Sequence, residues 1–361
     1  MEKTVVAALS GGVDSSVAAA LALRAGYRVV GVTLRMKHPD PAFSASQVCA
    51  SRSDEEAVAQ VVRTLGIGHR YIECFPEFRD RVLHPAALEY AQGRTPNPCC
   101  RGNRMVKFGI LAEFARSIGA ERVLTGHYAQ LRRDGAAGAE TVRLFRGEDS
   151  RKDQSYFLCE LTQEILRLVD FPLGTMEKTA VRAVAGELGL ATSRKPDSQD
   201  ACFQVPGECF GATLHRLFAL PSKPGSFLYR GKIVGRHSGI HRYTVGQRKG
   251  LNVALGVPAY IASIDAASGD IVLETDSARL FRREFTAESV NWISGRPPET
   301  RRLSVQIRYR SAAAAAEIEP LGGGNWRVVC AEPQRAVTPG QTAVFYDGAE
   351  LLGGGRIGDA S

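Results

Sequence analysis

The stretch TVVAALSGGVDSSVAAALALRAG, residues 4–26, constrains this chain more than any other. Thr4–Leu9 is a short apolar run, SGGVDSS is a turn, and Val17–Arg24 has helical composition closed by Gly26. A buried strand entering a glycine turn that opens a helix is the start of a parallel α/β unit. Gly11 and Gly12 let backbone N–H groups approach an anion, and the helix N-terminus adds partial positive charge. The turn lacks the GK[ST] of a γ-phosphate-transferring loop. Nucleotide phosphate is the expected ligand, with Asp14 suited to a metal ion or a lysine. A glycine turn capped by Ser or Asp is the plainer alternative.

The pattern continues downstream. Arg28–Leu34 reads as a second buried strand and Tyr71–Cys74 as a third. Between them Ser53 and Glu56 form a capping box before Val58, Val61, Val62 and Leu65 at helical spacing. Arg104–Ile118 reads as a helix ended by Gly119, and Arg122–Leu124 as a strand running into TGHYA. Strands alternating with helices imply a parallel sheet covered on both faces. Asp134–Glu140 reads as a hairpin loop, and Gln163–Val169 and Lys178–Leu188 as helices.

Near residue 205 the character changes to Gly, Pro and short β-like segments. In LSVQIRY, alternation puts Leu303, Val305, Ile307 and Tyr309 on one face, and the tail continues this way, consistent with a small barrel. A length of 361 residues fits two or three domains, which we divide as 1–205, 206–278 and 279–361.

A formal charge of +8 favours an acidic partner, nucleic acid first, and basic residues crowd into 230–250 and 301–310. No apolar run approaches the roughly 18 residues of a membrane span. The N-terminus lacks the features of a signal peptide. Eight cysteines are too sparse for a disulfide scaffold. A cytoplasmic protein with thiol or metal chemistry and no membrane partner is expected.

TPNPCCRGN, residues 95–103, is the candidate for that chemistry. Prolines at 96 and 98 read as holding it extended and out of any helix, so that Cys99 and Cys100 point to opposite faces. Cysteines 49, 74, 159, 209 and 330 show no metal spacing and read as structural. His237 and His241, in a basic loop, read as surface or nucleic-acid groups rather than ligands.

Longer signals occur in register with these. SGGVDSS resembles the pyrophosphate-binding loop of ATP pyrophosphatases. GRTPNPCxxxN followed by KF, TGHYA (125–129), KDQSYFL (152–158), KPDSQDACF (195–203), GRHSGIHRYTVGQRKGL (235–251) and GQTAVFY (340–346) follow in order. Together, from residue 4 to about 346, they closely resemble the tRNA-specific 2-thiouridylase family of the PP-loop superfamily.

The resemblance implies an adenine nucleotide alpha hydrolase-like α/β domain, a small central β-rich domain that contacts tRNA, and a C-terminal β-barrel. It implies ATP-dependent 2-thiolation of the wobble uridine of tRNAs for Lys, Glu and Gln. The C2 oxygen would be adenylated with ATP and Mg²⁺, then replaced by sulfur from a cysteine persulfide. Partners would be tRNA and a persulfide-donating sulfur carrier or cysteine desulfurase.

Carried over to this chain, Ala8, Leu9, Ser10, Gly11, Gly12, Val13, Asp14 and Ser15 match the nucleotide loop. Met36 matches an adenine contact, Gly126 a nucleotide contact, and His127 a group beside the tRNA. Asn97, Pro98 and Cys99 match the segment that meets the target base. Lys152, Asp153, Gln154, Tyr309, Arg310 and Gln341 match tRNA contacts, and Cys202 matches the persulfide carrier.

One position departs. The family has a second catalytic cysteine directly before the asparagine that is Asn103 here, and this chain has Gly102 in its place. Three arrangements are open. Cys99 or Cys100 supplies the thiol; or an external thiol, or an iron–sulfur cluster held by Cys99, Cys202 and a further ligand, takes its part; or the chain is a catalytically impaired paralogue that binds tRNA. The intact nucleotide loop, Cys202 and KDQS favour the first two. A PP-loop small-molecule ligase is the rival enzyme class, and it leaves the basic C-terminal half unexplained.

Overall fold

The structure, a computed structural model, describes residues 3–38, 52–135, 140–196, 205 and 207–358. The N-terminal part is built on β1 (Thr4–Ala8), β2 (Arg28–Arg35), β3 (Gly68–Glu73) and β4 (Arg122–Leu124). The hairpin β5 (Ala129–Asp134) and β6 (Thr141–Arg146) then leaves this sheet, and β7 (Val169–Asp170) returns to it. The sheet is parallel, in the order β3-β2-β1-β4-β7. Chain direction across the sheet therefore reverses between β1 and β4. In open α/β sheets that reversal leaves a crevice beyond the carboxyl ends of the two strands, where ligands bind.

Val5, Val6, Val32 and Val123 are fully buried, as β-branched residues on strands covered from both faces should be. The helix Arg52–Leu65 turns Val58 and Val61 inward as its spacing demands. Ser53 lies within that helix, so it is not the N-cap expected of it.

Residues 98–117 form one helical run, over-wide and π-type across Asn103–Phe108. Pro98 begins this run instead of excluding it. Proline at the first helical position sacrifices an N–H that would have been unpaired anyway. Asn97 serves as N-cap, its Oδ1 accepting from the Cys99 N–H (3.1 Å).

The central sheet joins β8 (Gly225–Tyr229), β9 (Lys232–His237), β10 (Tyr260–Ile264) and β11 (Ile271–Glu274) in the order β10-β11-β8-β9. Its histidines are not surface groups. His241 stacks on His215 of the helix Phe210–Leu217 at 3.6 Å between ring centroids, and both are buried. His237 is buried against Phe227 and Tyr243. Local basicity suggested exposure, and the aromatic packing of the small core overrode it.

The C-terminal strands are β12 (Phe281–Trp292), β13 (Arg302–Gln306), β14 (Ala314–Gly322), β15 (Asn325–Arg335), β16 (Thr342–Asp347) and β17 (Glu350–Ile357). A pairing of β12 with β17 closes these six into a barrel. Phe285, Ile318, Val328, Phe345 and Ile357 fill it, with Trp292 and Trp326 edge to face at 5.2 Å. The β5–β6 hairpin adds to the barrel, Leu144 opposite Leu351 and Phe145 opposite Glu350. β13 ends at Gln306, so Tyr309 does not continue the inward face of Leu303 and Val305.

Burial pushes five histidines below the ordinary value. These are His69, His215 and His237, with His127 down to about 3 and His241 to about 4. The unfolded chain takes up protons near pH 6.5, whereas the folded chain does so at lower pH, down to about 4 and 3 at His241 and His127. Stability therefore falls as pH drops from about 6.5 towards 4. Calorimetry should show a lower Tm at pH 5.5 than at pH 7.5, and an equal or higher Tm at pH 5.5 would contradict these burials.

Candidate active site

The SGGVDSS turn and the TGHY turn follow β1 and β4 at the crevice and pack directly on each other. A Cβ at Gly126 would lie 2.6 Å from the Asp14 carbonyl carbon and 2.7 Å from the Ser15 nitrogen, so only glycine permits the contact. Gly12 is the N-cap of the helix Val13–Arg24 and has no side chain to cap it. Ser15 Oγ and Ser16 Oγ instead donate to the Gly12 carbonyl, at 3.0 and 2.9 Å. Ser10 N donates in turn to Ser15 Oγ (3.2 Å). The loop is shaped before any ligand arrives.

Asp14, in the first turn of that helix, is clamped. Lys178 Nζ donates to both of its oxygens at 2.7 Å, and the Tyr128 hydroxyl donates to Oδ1 at 2.8 Å. Lys178 opens the helix Lys178–Glu187, and its backbone N–H donates to Asp149 Oδ2 (3.1 Å). Burial alone would raise the Asp149 carboxyl, but the Lys178 and Arg151 backbone N–H groups hold it below the usual range. Lys195 Nζ donates to the Gly11 carbonyl (3.1 Å) and pairs with Asp54, tying the chain after residue 194 to the back of the loop.

These groups line one end of a cavity of about 1310 Å³. Ala8, Leu9, Ser10, Gly12, Val13, Asp14, Ser15, Met36 and Gly126, all expected nucleotide contacts, form that end. Gly11 turns behind them. The other end is made by Cys99, Asn103 and Lys107 from the 98–117 run, by Lys152, Asp153, Gln154 and Phe157, and by Gln306 and 309–313 of the barrel. Single-ligand pockets run to about 1,000 Å³, so this space suits a nucleotide and a second group together. Lys107, Lys152, Lys178, Lys195, Arg146, Arg151 and Arg310 line it against Asp14, Asp54 and Asp153, which makes it a site for anions.

The two adjacent cysteines part company. Cys99 faces the cavity. Cys100, one residue and about 100° further round the helix, is fully buried, with its thiol donating to the Tyr156 carbonyl (3.7 Å). A hydrogen bond with Cys159, and burial with it, push the Cys100 thiol well up. As a stand-in for the missing thiol, Cys100 is disfavoured: it is protonated and sealed in the core. The expectation that the pair would point apart holds, but a helix and not an extended chain separates them. A Cβ at Gly102 would touch Phe78 and Val82 at an ordinary 3.9 Å, so a side chain has room there, facing an apolar wall.

His127 shares a hydrogen bond with Thr125 Oγ1 (2.7 Å) and packs on Phe108 and Phe171. Burial, with the Lys107 charge adding to it, holds its pKa at about 3, so the ring stays neutral at working pH. Asp153 is braced on all sides. It accepts from the Gly147 and Ser155 N–H groups, the Ser155 hydroxyl and Arg146, whose guanidinium also stacks on Tyr346 at 3.6 Å. Gln154 Oε1 accepts from the Tyr128 N–H (3.2 Å). Tyr309 and Phe157 meet at 4.3 Å between centroids, and Arg310 lines the rim.

Asn97, Pro98 and Gln341 do not line the cavity. Cys202 and Cys49 lie outside the described residues, while Cys209 is exposed and Cys74, Cys159 and Cys330 are buried. Lys178, Tyr128, Lys195, Asp54 and Lys107 escaped the sequence reading as site residues. Tyr128, Lys195 and Lys107 sit inside quoted motifs, which was a usable signal, whereas nothing local ties Lys178 to Asp14, 164 residues away.

Residues 3–206 match the family described as tRNA methyl transferase HUP domain, 218–274 the tRNA methyl transferase PRC-barrel domain, and 282–357 the Aminomethyltransferase beta-barrel domain. The tRNA-specific 2-thiouridylase MnmA of Heliobacterium modesticaldum is 43% identical over 364 residues, covering 99% of this chain and 93% of that protein. Its counterpart in Trichormus variabilis is 42% identical over 357 residues, covering 98% of each. Among solved structures, a 4-thiouridine synthetase–RNA complex with bound ATP aligns at a TM-score of 0.36 and 20% identity over 60% of this chain and 50% of that one, too slight a likeness to bear on function. With 42–43% identity sustained over 98–99% of its length, the chain belongs to the tRNA-specific 2-thiouridylase family.

Proposed function

We propose that this protein uses ATP to replace the C2 oxygen of the wobble uridine of tRNA with sulfur. The supporting observation is a single basic cavity that joins the PP-loop at one end to Cys99 and the barrel turn 309–313 at the other. In that space a nucleotide α-phosphate and a flipped uridine can meet. The full-length likeness to 2-thiouridylases supports the same reading over a small-molecule ligase.

The chemistry divides in two. The uridine C2 oxygen attacks the α-phosphorus of ATP, and pyrophosphate leaves. A urea-like carbonyl is a poor electrophile, and adenylation turns its oxygen into a leaving group. The terminal sulfur of a persulfide on Cys202 then attacks C2, and AMP departs with the oxygen. Cys99 thiolate attacks the Cys202 sulfur, releasing 2-thiouridine and leaving a Cys99–Cys202 disulfide, which two external thiols reduce.

The chain's own groups serve these steps. The loop N–H groups and helix N-terminus bind the phosphates. Lys178 cancels the Asp14 charge, which would otherwise repel them. Neutral His127 can share a hydrogen bond without adding charge. Both Asp14 oxygens are taken by the Lys178 ammonium, so Asp14 does not fit as a Mg²⁺ ligand in this arrangement, and we route no step through the ion. The iron–sulfur alternative needs Cys202, which lies outside the described residues, and no step is routed through a cluster.

No helix among the described residues is long and apolar enough to cross a membrane. In our reading the protein works in the cytoplasm and takes sulfur from a persulfide-donating carrier or cysteine desulfurase. Its substrates are the tRNAs for Lys, Glu and Gln.

Thiolation of transcript tRNA with ATP and a persulfide donor tests the reading. Cys202→Ala should abolish 2-thiouridine yet keep tRNA-dependent pyrophosphate release, and wild-type yield from this variant would end the persulfide assignment. Cys99→Ala should slow turnover roughly tenfold or more, while Cys100→Ala keeps the wild-type rate and loses only about 1 kcal/mol of stability. Equal rates for Cys99→Ala and wild type would remove Cys99 from the mechanism. Lys178→Met should raise the ATP KM at least about tenfold, by leaving Asp14 unpaired beside the phosphates. An unchanged ATP KM would show that the pair is not electrostatically coupled to the nucleotide.

A further inference from the structure

Gln341 was expected, by family resemblance, to touch tRNA. Its amide is engaged elsewhere. Nε2 donates to the Thr95 carbonyl at 2.8 Å and lies 3.5 Å from the Pro96 carbonyl. The Thr95 N–H donates in turn to the Pro339 carbonyl (2.8 Å). The barrel turn before β16 therefore holds both faces of the Thr95 backbone. Gly340 makes the approach possible: its φ is +92°, and a Cβ there would lie 2.8 Å from the Thr95 nitrogen.

The turn is itself fixed. Gly340 N donates to the Ile357 carbonyl and Ile357 N to the Gln341 carbonyl, both at 2.7 Å. Beside it Arg94 donates to Glu288 (2.9 Å) and the Ile357 carbonyl (3.0 Å). Arg356 bridges Glu288 (2.8 Å) and Glu89 (3.0 Å). Glu89 and Arg94 belong to the catalytic part, and Glu288 and Arg356 to the barrel.

What this grip holds is the root of the site. Asn97, two residues after Thr95, is the cap that orients the Cys99 N–H. On the far side of the same helical turn, the Tyr156 hydroxyl donates to the Thr342 carbonyl (2.8 Å), and Tyr156 accepts the Cys100 thiol. Barrel residues 339–342 thus bracket the Cys99 turn before and behind. Losing the Gln341 amide leaves the carbonyl of buried Thr95 unpaired, and the segment 94–97 must shift to re-pair it.

We infer that Gln341 is a positioning residue for the reaction: it sets where Asn97 and Cys99 stand in the cavity, making the barrel part of the active-site frame as well as a surface for tRNA. This rests on the thiolation reading above. A tRNA contact and a positioning contact differ in what they change. The first alters affinity, and the second alters the rate at saturation.

The test uses the full chain with Gln341→Ala and the isosteric Gln341→Glu, which sets a carboxylate against two carbonyl oxygens. Three quantities are measured. They are the tRNA Kd by filter binding, the single-turnover thiolation rate at saturating tRNA and ATP, and the iodoacetamide alkylation rate of Cys99 read by peptide mass spectrometry. We expect a Kd within about twofold of wild type and a saturated rate lower by roughly ten- to a hundredfold, more so for Gln341→Glu. The Cys99 alkylation rate should change at least about threefold, with a Tm near wild type. A raised Kd with a wild-type saturated rate and unchanged alkylation would overturn the inference in favour of a tRNA contact. Wild-type values throughout would overturn it as well. If wild-type protein itself yields no 2-thiouridine, the thiolation reading falls, and the alkylation rate alone then decides the positioning.

Discussion

Two residue pairs, Leu144 opposite Leu351 and Phe145 opposite Glu350, join the hairpin that grows out of the parallel sheet to the last strand of the barrel. The rest of the site depends on that junction. A parallel α/β sheet by itself offers a crevice at its switch point, open on one side. Here Val6 and Val123 of the sheet share one hydrophobic cluster with Leu144 of the hairpin and Val344, Tyr346 and Leu351 of the barrel. The barrel is therefore packed into the catalytic core, and its 309–313 turn becomes a wall of the cavity. Arg146 carries the junction inward: one guanidinium stacks on Tyr346, donates to Gln306, and holds Asp153. KDQS is thus oriented by the barrel as well as by its own turn.

The second organising constraint is charge. A nucleotide triphosphate and a tRNA are both strongly anionic, and a site that accepts the two side by side must offset their mutual repulsion. The lining cations do so, while each lining aspartate is already engaged: Asp14 by Lys178, Asp54 by Lys195, Asp153 by Arg146. Among the described residues, no lining carboxylate is left to oppose the ligands. Burial keeps His127 uncharged, so it adds nothing to that balance.

What the sequence showed was whatever is written locally. A strand, a glycine turn and a helix are adjacent in the chain, so the anion loop was legible from residues 4–26, and the alternation in LSVQIRY with the β pattern of the tail pointed to a barrel. What it hid was set by tertiary contact. Pro98 looked like a helix breaker, but Asn97 before it supplies a cap, and together they start a helix. His237 and His241 sit among basic residues, yet edge-to-face contacts with Phe227 and Tyr243 and stacking on His215 bury them. Tyr309 kept the strand period but lies past the end of its strand, drawn to Phe157 across the seam. Family likeness placed Gln341 at the tRNA, and only the fold shows that its amide is held by Thr95.

The glycine at 102 can now be read in the same terms. On a helix, residues three apart are neighbours, about 5–6 Å between Cβ atoms, so Cys99 and position 102 lie one above the other on adjoining faces. The Cβ direction at 102 runs towards Phe78 and Val82, whereas Cys99 opens on the cavity and Cys100 on the core. A thiol one turn earlier is therefore moved along the helix, towards the cap at Asn97 and the barrel turn that holds Thr95. Disulfide closure demands Cα atoms within about 7 Å, so the position of that first turn decides whether Cys99 can reach a partner sulfur. A chain that relies on Cys99 in place of a cysteine at 102 relies more heavily on whatever fixes residues 95–99, and here the barrel fixes them.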